Sequence, residues 1–98
     1  MEIKKTQNGT HLTIAVEGRL DTMTSPALDK ELKASFSDID KLTLDFTALK
    51  YISSAGLRVL LVAEQEMGRK GGLTVKGASK EVMDVFEVTG FSEILAFE

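Results

Sequence analysis

The sequence predicts an α/β fold: a mixed, mostly parallel sheet of about five strands that opens with a β-hairpin and is packed with about four helices. Three observations lead there. Apolar residues alternate with polar ones on the C-terminal side of an Asn-Gly dipeptide near the start of the chain, segments of helical apolar spacing follow, and short strand-like runs separate those segments. Strands that alternate with helices are joined by right-handed crossovers, which lay the later strands parallel to one another.

Ile3 marks the first strand, and in His11–Glu17 the apolar Leu12, Ile14 and Val16 alternate with Thr13, Ala15 and Glu17, the period of a half-buried strand. Asn8-Gly9 lies between them. This dipeptide accepts the positive φ angles of a tight turn, so residues 3–7 and 10–17 are expected to pair antiparallel. After Gly18 the pattern changes. Thr24-Ser25-Pro26 offers a hydroxyl N-cap with proline at the first helical position, where its missing N–H costs nothing. Leu28, Leu32, Phe36 and Ile39 then recur at helical spacing, with Asp29, Lys30, Glu31 and Lys33 left on the solvated side. Leu42, Leu44 and Phe46 alternate with Lys41, Thr43 and Asp45 in the next strand, and a loop through Tyr51 and Ile52 leads to a helix over residues 54–69. Gly71-Gly72 ends that helix and Leu73 to Lys76 reads as a strand. Ser79 caps a helix carrying Val82, Met83, Val85 and Phe86 that stops at Gly90, and Ile94 to Phe97 is the last strand.

Composition narrows the classes of function. With 98 residues and 43% hydrophobic content, residues 1–98 fit a single domain with one core. A net charge of −3 is a poor grip on phosphate backbones, so nucleic acid is not an expected partner. There is no cysteine, hence no disulfide framework, thiol nucleophile or thiolate metal site. No run of ~18 apolar residues is present for membrane insertion, and MEIKKTQNGT has no signal-like apolar core, so a cytoplasmic protein is expected.

Catalytic chemistry finds few candidates. His11, the only histidine, lies in the hairpin strand and has no partner at a spacing that would make a triad or metal site. Gly68, Gly71 and Gly72 match neither the phosphate-loop nor the dinucleotide spacing and read as turn glycines. Asp21, Asp29, Asp38, Asp40 and Asp45 read as caps or solvated carboxylates. A phosphoacceptor receiver domain would need clustered acids at the end of its first strand, and Ile3–Gln7 has none. The expectation is therefore a binding protein with no catalytic residue, metal or cofactor.

The informative segment is Tyr51-Ile52-Ser53-Ser54-Ala55-Gly56-Leu57-Arg58, which sets two hydroxyls at a loop-to-helix junction. At ~100° per residue, Gly56, Leu60, Ala63 and Met67 share one side of the helix while Ser54, Arg58, Val62 and Gln65 share the other. Ser54 should face outward. Ser53 reads as the N-cap, a role that stabilises a helix by about 1 kcal/mol. Leu61 and Val62 lie close to the outward sector, either as an interaction surface or packed beneath a neighbouring helix.

These residues resemble the STAS domains of bacterial anti-sigma factor antagonists, and the resemblance runs over essentially the whole chain. Gly18-Arg19-Leu20-Asp21 with Thr22 and Thr24 is similar to the family's Gly-x-Leu-Asp segment, Asp45-Phe46 precedes the switch loop, and Tyr51 to Leu57 resembles the phosphoacceptor motif. The resemblance implies a domain that binds an anti-sigma factor serine kinase and so frees a sigma factor. It implies Ser54 as the phosphoacceptor whose modification ends the binding, and a serine phosphatase that reverses it. Ser53 stands where many members carry aspartate, and it remains the second candidate acceptor. The partner-binding residues expected on these grounds are Asp21, Thr22, Thr24, Ser53, Ala55, Gly56, Arg58, Leu61 and Val62. A STAS-like accessory subunit of an ABC-type lipid or solute transport complex, docking through the same helix face without phosphorylation, is the alternative.

Overall fold

The computed structural model describes residues 1–98. Strand β1 (Glu2–Asn8) pairs antiparallel with β2 (His11–Leu20), in register from Glu2↔Glu17 to Asn8↔His11. The turn is Gly9-Thr10 and not Asn8-Gly9. Gly9, at φ +64°, takes the left-handed position at the first turn residue, while Asn8 stays in the strand.

Helix α1 (Ser25–Ser35) returns the chain to β3 (Lys41–Asp45), which pairs parallel with the first half of β2, from His11↔Lys41 to Ala15↔Asp45. Strand β4 (Leu49–Ile52) leads directly into α2 (Ser54–Met67). Strand β5 (Leu73–Lys76) pairs parallel with β3, α3 (Lys80–Thr89) follows, and β6 (Ala96–Phe97) pairs parallel with β5. The sheet order is β1-β2-β3-β5-β6, with β4 on β2. Because the crossovers from β2 to β3, β5 and β6 all step in one direction, right-handed connections put the helices on one face of the sheet.

Burial agrees with that placement. Leu12, Ile14, Val16, Leu42, Leu44, Leu73 and Val75 turn to the helices and are buried, within a core cluster of 22 residues that includes Leu28, Leu32, Leu60, Ala63, Met67 and Phe86. The opposite face carries Thr6, Thr13, Thr43 and Thr74 side by side in cross-strand register. His11 lies on that face as a half-buried strand residue, its Nε2 2.8 Å from Thr43 Oγ1.

The fold class is the expected one, and the counts differ. Six strands replace about five, and three α-helices with two 3₁₀ turns, Phe36–Asp38 and Phe91–Glu93, replace about four helices. The added strand is β4, expected as loop. Its four residues bury only the outer two, Leu49 and Ile52, so no alternation marks it. What makes it a strand is its parallel pairing with the second half of β2, across an irregularity between Gly18 and Arg19. For the same reason β2 continues past Gly18, where the pattern breaks. Two ends fall short of expectation: α2 stops at Met67 instead of Arg69, with Gly68 as its C-cap, and the last strand begins at Ala96 because Phe91–Glu93 coils before it. Proline is the second helical residue of α1, and Thr24 occupies the N-cap position without making a side-chain cap bond.

Candidate functional site

The site forms where β2 and β4 end and α1 and α2 begin, at the carboxyl ends of neighbouring parallel strands, where open α/β sheets commonly place their ligand crevices. Ser53 joins these parts. Its N–H donates to the Leu20 carbonyl at 2.9 Å, its Oγ accepts from the Gly56 N–H at 3.4 Å, and its carbonyl accepts from the Leu57 N–H at 2.9 Å. Its backbone is extended, at φ −98° and ψ 176°, as an N-cap requires. Ser53 is therefore the cap, and Ser54, the first residue of α2, is exposed.

Gly56 lets the helix approach β2. A Cβ there would lie 2.8 Å from Ile52 Cγ1, 2.9 Å from Leu20 Cγ and 3.0 Å from the Leu20 carbonyl oxygen. The residue is buried and offers a partner no surface, so of the expected contact residues it shapes the site from beneath. Leu57, Leu60, Ala63 and Met67 continue the buried side of α2, while Arg58 and Gln65 are exposed.

The Asp21–Thr24 turn is held by its own side chains. Asp21 Oδ1 accepts from the N–H groups of Met23 at 3.0 Å and Thr24 at 3.1 Å, and Arg19 Nε lies 3.6 Å from Oδ2. Desolvation pushes the Asp21 carboxyl up, but the hydrogen bonds from Thr24 and Met23 and the charge of Arg19 outweigh it and hold the carboxyl below its ordinary value. Thr24 Oγ1 accepts from the Asp21 N–H at 2.9 Å and donates to the Arg19 carbonyl at 2.7 Å. This pairing explains why Thr24 is not free to cap α1. Arg19 also stacks over the Tyr51 ring, 4.2 Å from its centroid, across the β2–β4 pair.

Between α1 and α2 lies an open groove of about 330 Å³. Thr22, Ala55, Arg58 and Val62, all expected site residues, line it. Asp21, Thr24 and Ser53 do not line it and stand instead in the Asp21–Thr24 turn and the α2 cap, close in the chain to Thr22 and Ala55, which do. Leu61 is 36% exposed and does not line the groove, and Val62, half-buried, does. The sequence reading missed six neighbours: Met23, and the groove residues Ser25, Pro26, Asp29, Lys33 and Val59, the last of them buried. Met23 is 87% exposed beside Thr22, an apolar residue projecting from an otherwise polar turn, and that mismatch was its only signal. Asp29 and Lys33, paired at 3.0 Å, read from sequence as an ordinary solvated face because nothing local says that a second helix runs beside them. Arg58 makes no ion pair.

Residues 3–96 match the family model described as Mlab, STAS domain. The chain is 38% identical over 85 residues to BtrV of Bordetella bronchiseptica, named for anti-sigma factor antagonism, covering 85% of this chain and 73% of that protein. It is 31% identical over 97 residues to the anti-sigma-B factor antagonist of Listeria monocytogenes, covering 97% and 84%. Among solved structures, an anti-sigma factor antagonist from Mycobacterium paratuberculosis is similar at a TM-score of 0.89 and 22% identity, over 98% of this chain and 83% of that one. No helix is long and apolar enough to cross a membrane. With the fold, the helix-start serines and the family match in agreement, the chain belongs to the STAS domain family, among the anti-sigma factor antagonists.

Proposed function

We propose that this chain is a partner-switching regulator that binds an anti-sigma factor serine kinase through the start of α2 and the α1–α2 groove, freeing a sigma factor, and that phosphorylation of Ser54 ends the binding. The observation that carries the reading is the division of labour at the helix start: Ser53 is occupied as the cap while the Ser54 hydroxyl is exposed, next to a groove with an unpaired arginine. Met23, Thr22, Ala55 and Val62 supply the apolar and small contacts around it, and Asp21 shapes the adjoining turn.

A phosphate on Ser54 carries about −1.5 to −2 charges, and the first turn of a helix accommodates an anion without loss of fold. Burying that unpaired charge against a partner costs several kcal/mol, about a hundredfold or more in affinity. A serine phosphatase acting on the modified form would complete the cycle. The protein acts here by binding and performs no chemistry itself.

Ser54→Asp is expected to weaken binding to the cognate anti-sigma kinase by about a hundredfold, measured by titration calorimetry, with an unchanged unfolding midpoint. Equal affinity for the two proteins would sink the reading. Intact mass after incubation with kinase and ATP should show one added phosphate that is lost in Ser54→Ala and kept in Ser53→Ala. Docking on a transport ATPase with no phosphate gained would instead favour the accessory-subunit function.

A further inference from the structure

We infer that Arg58 is the internal receptor for the Ser54 phosphate: on modification its guanidinium swings from the groove to the phosphate one turn back, so phosphorylation removes a cation from the partner surface as well as adding an anion. The inference deepens, and rests on, the reading of Ser54 as the phosphoacceptor.

Ser54 and Arg58 are four residues apart on α2, and both are exposed. Residues at this spacing are neighbours on one helix face, with Cβ atoms about 5–6 Å apart. Helical side chains also lean toward the N-terminus, so a long side chain at 58 covers the turn that contains 54. A guanidinium presents two parallel N–H groups to phosphate oxygens, a pairing that a lysine at the same place would not reproduce.

The other charges at the site are committed. Lys33 pairs with Asp29 at 3.0 Å, and Arg19 is held between Asp21, at 3.6 Å, and the Tyr51 ring. Arg58 has no ion pair to give up. Two of the first-turn backbone donors are already engaged, the Gly56 N–H by Ser53 Oγ and the Leu57 N–H by the Ser53 carbonyl, so a side-chain cation adds what the backbone supplies only in part. Ser54→Asp lacks both the reach and the second charge of the phosphate. It therefore leaves Arg58 largely in the groove and reproduces only part of the switch.

Phosphoserine installed at position 54 by genetic code expansion tests this without any kinase. Its second ionisation, followed by ³¹P NMR titration, lies near pH 6 in an unperturbed residue. In the wild-type background the apparent value is expected about half a unit to one unit lower, because the guanidinium favours the dianion. Arg58→Gln should return it to about 6, while Lys33→Gln leaves the lowered value in place. Far-UV circular dichroism and the unfolding midpoint check that both variants fold. Identical titrations of wild type and Arg58→Gln, or an equal loss of the shift in Lys33→Gln, would overturn the inference. A kinase that fails to bind or modify Ser54 would defeat the functional reading and leave this titration unaffected.

Discussion

Ser53 and Ser54 are chemically identical and adjacent, and one step along the chain separates their environments. An N-cap has extended backbone, which aims the Ser53 Oγ back at the Gly56 N–H. The next residue is helical, and its side chain turns out to solvent. The cap bond is long, at 3.4 Å, so Ser53→Ala is expected to cost toward the lower part of the usual range, about 0.5–1 kcal/mol in urea unfolding. Phosphate incorporation at Ser54 should persist in that variant. Both roles were legible from the order of residues at a helix start. The role of Thr24 was not, because its hydroxyl is drawn to the Arg19 carbonyl and the Asp21 N–H by the way β2 turns into α1.

The start of helix α2 is pressed against the end of β2. Gly56 is the point of closest approach, and two opposing effects decide what a substitution there would do. Alanine favours a helix interior by about 1 kcal/mol over glycine. Against that, overpacking costs about 1–3 kcal/mol, and the new Cβ would meet two core side chains within 2.9 Å and the Leu20 carbonyl oxygen at 3.0 Å. That carbonyl also holds the Ser53 N–H and cannot retreat without loosening the cap. Gly56→Ala should therefore destabilise the protein by about 1–2 kcal/mol net, read from the denaturation midpoint at unchanged m-value. The buried side of α2 was legible in the spacing of Gly56, Leu60, Ala63 and Met67, since helical period is a local property. Strand β4 was not, since four residues that bury only their ends show no period until a partner strand fixes them.

Across the molecule, two carboxylates at the carboxyl ends of the parallel strands tie the stability of the fold to pH. Thr47 donates to Asp45 Oδ1 from its hydroxyl at 2.6 Å and from its N–H at 3.0 Å, and these bonds hold the Asp45 carboxyl below its ordinary value, as the turn around Asp21 does for its own. A carboxyl lowered in the folded state contributes stability that is fully present above its unfolded value, about 4, and is lost as pH falls through the folded value. The unfolding midpoint should be flat from pH 7 to 5 and then fall. Asp45→Asn is expected to give a shallower acid limb than wild type, by thermal melts between pH 6 and 2, and an equally steep limb would count against this account.

By itself the sequence determined the hairpin, the helices, the inward faces of strands and helices, and a serine pair split between cap and exposed hydroxyl. Each of these follows from period, turn chemistry or capping within about ten residues. Only the tertiary structure decided that β4 lies on β2, that all three helices share one face, and that the α1–α2 groove gathers Thr22, Asp29, Lys33 and Arg58 beside the start of α2. Those facts depend on which distant segments pack together, and a one-dimensional pattern carries no record of that distance. The serine pair at the helix start could be read from its neighbours in the chain, but the groove beside it could not.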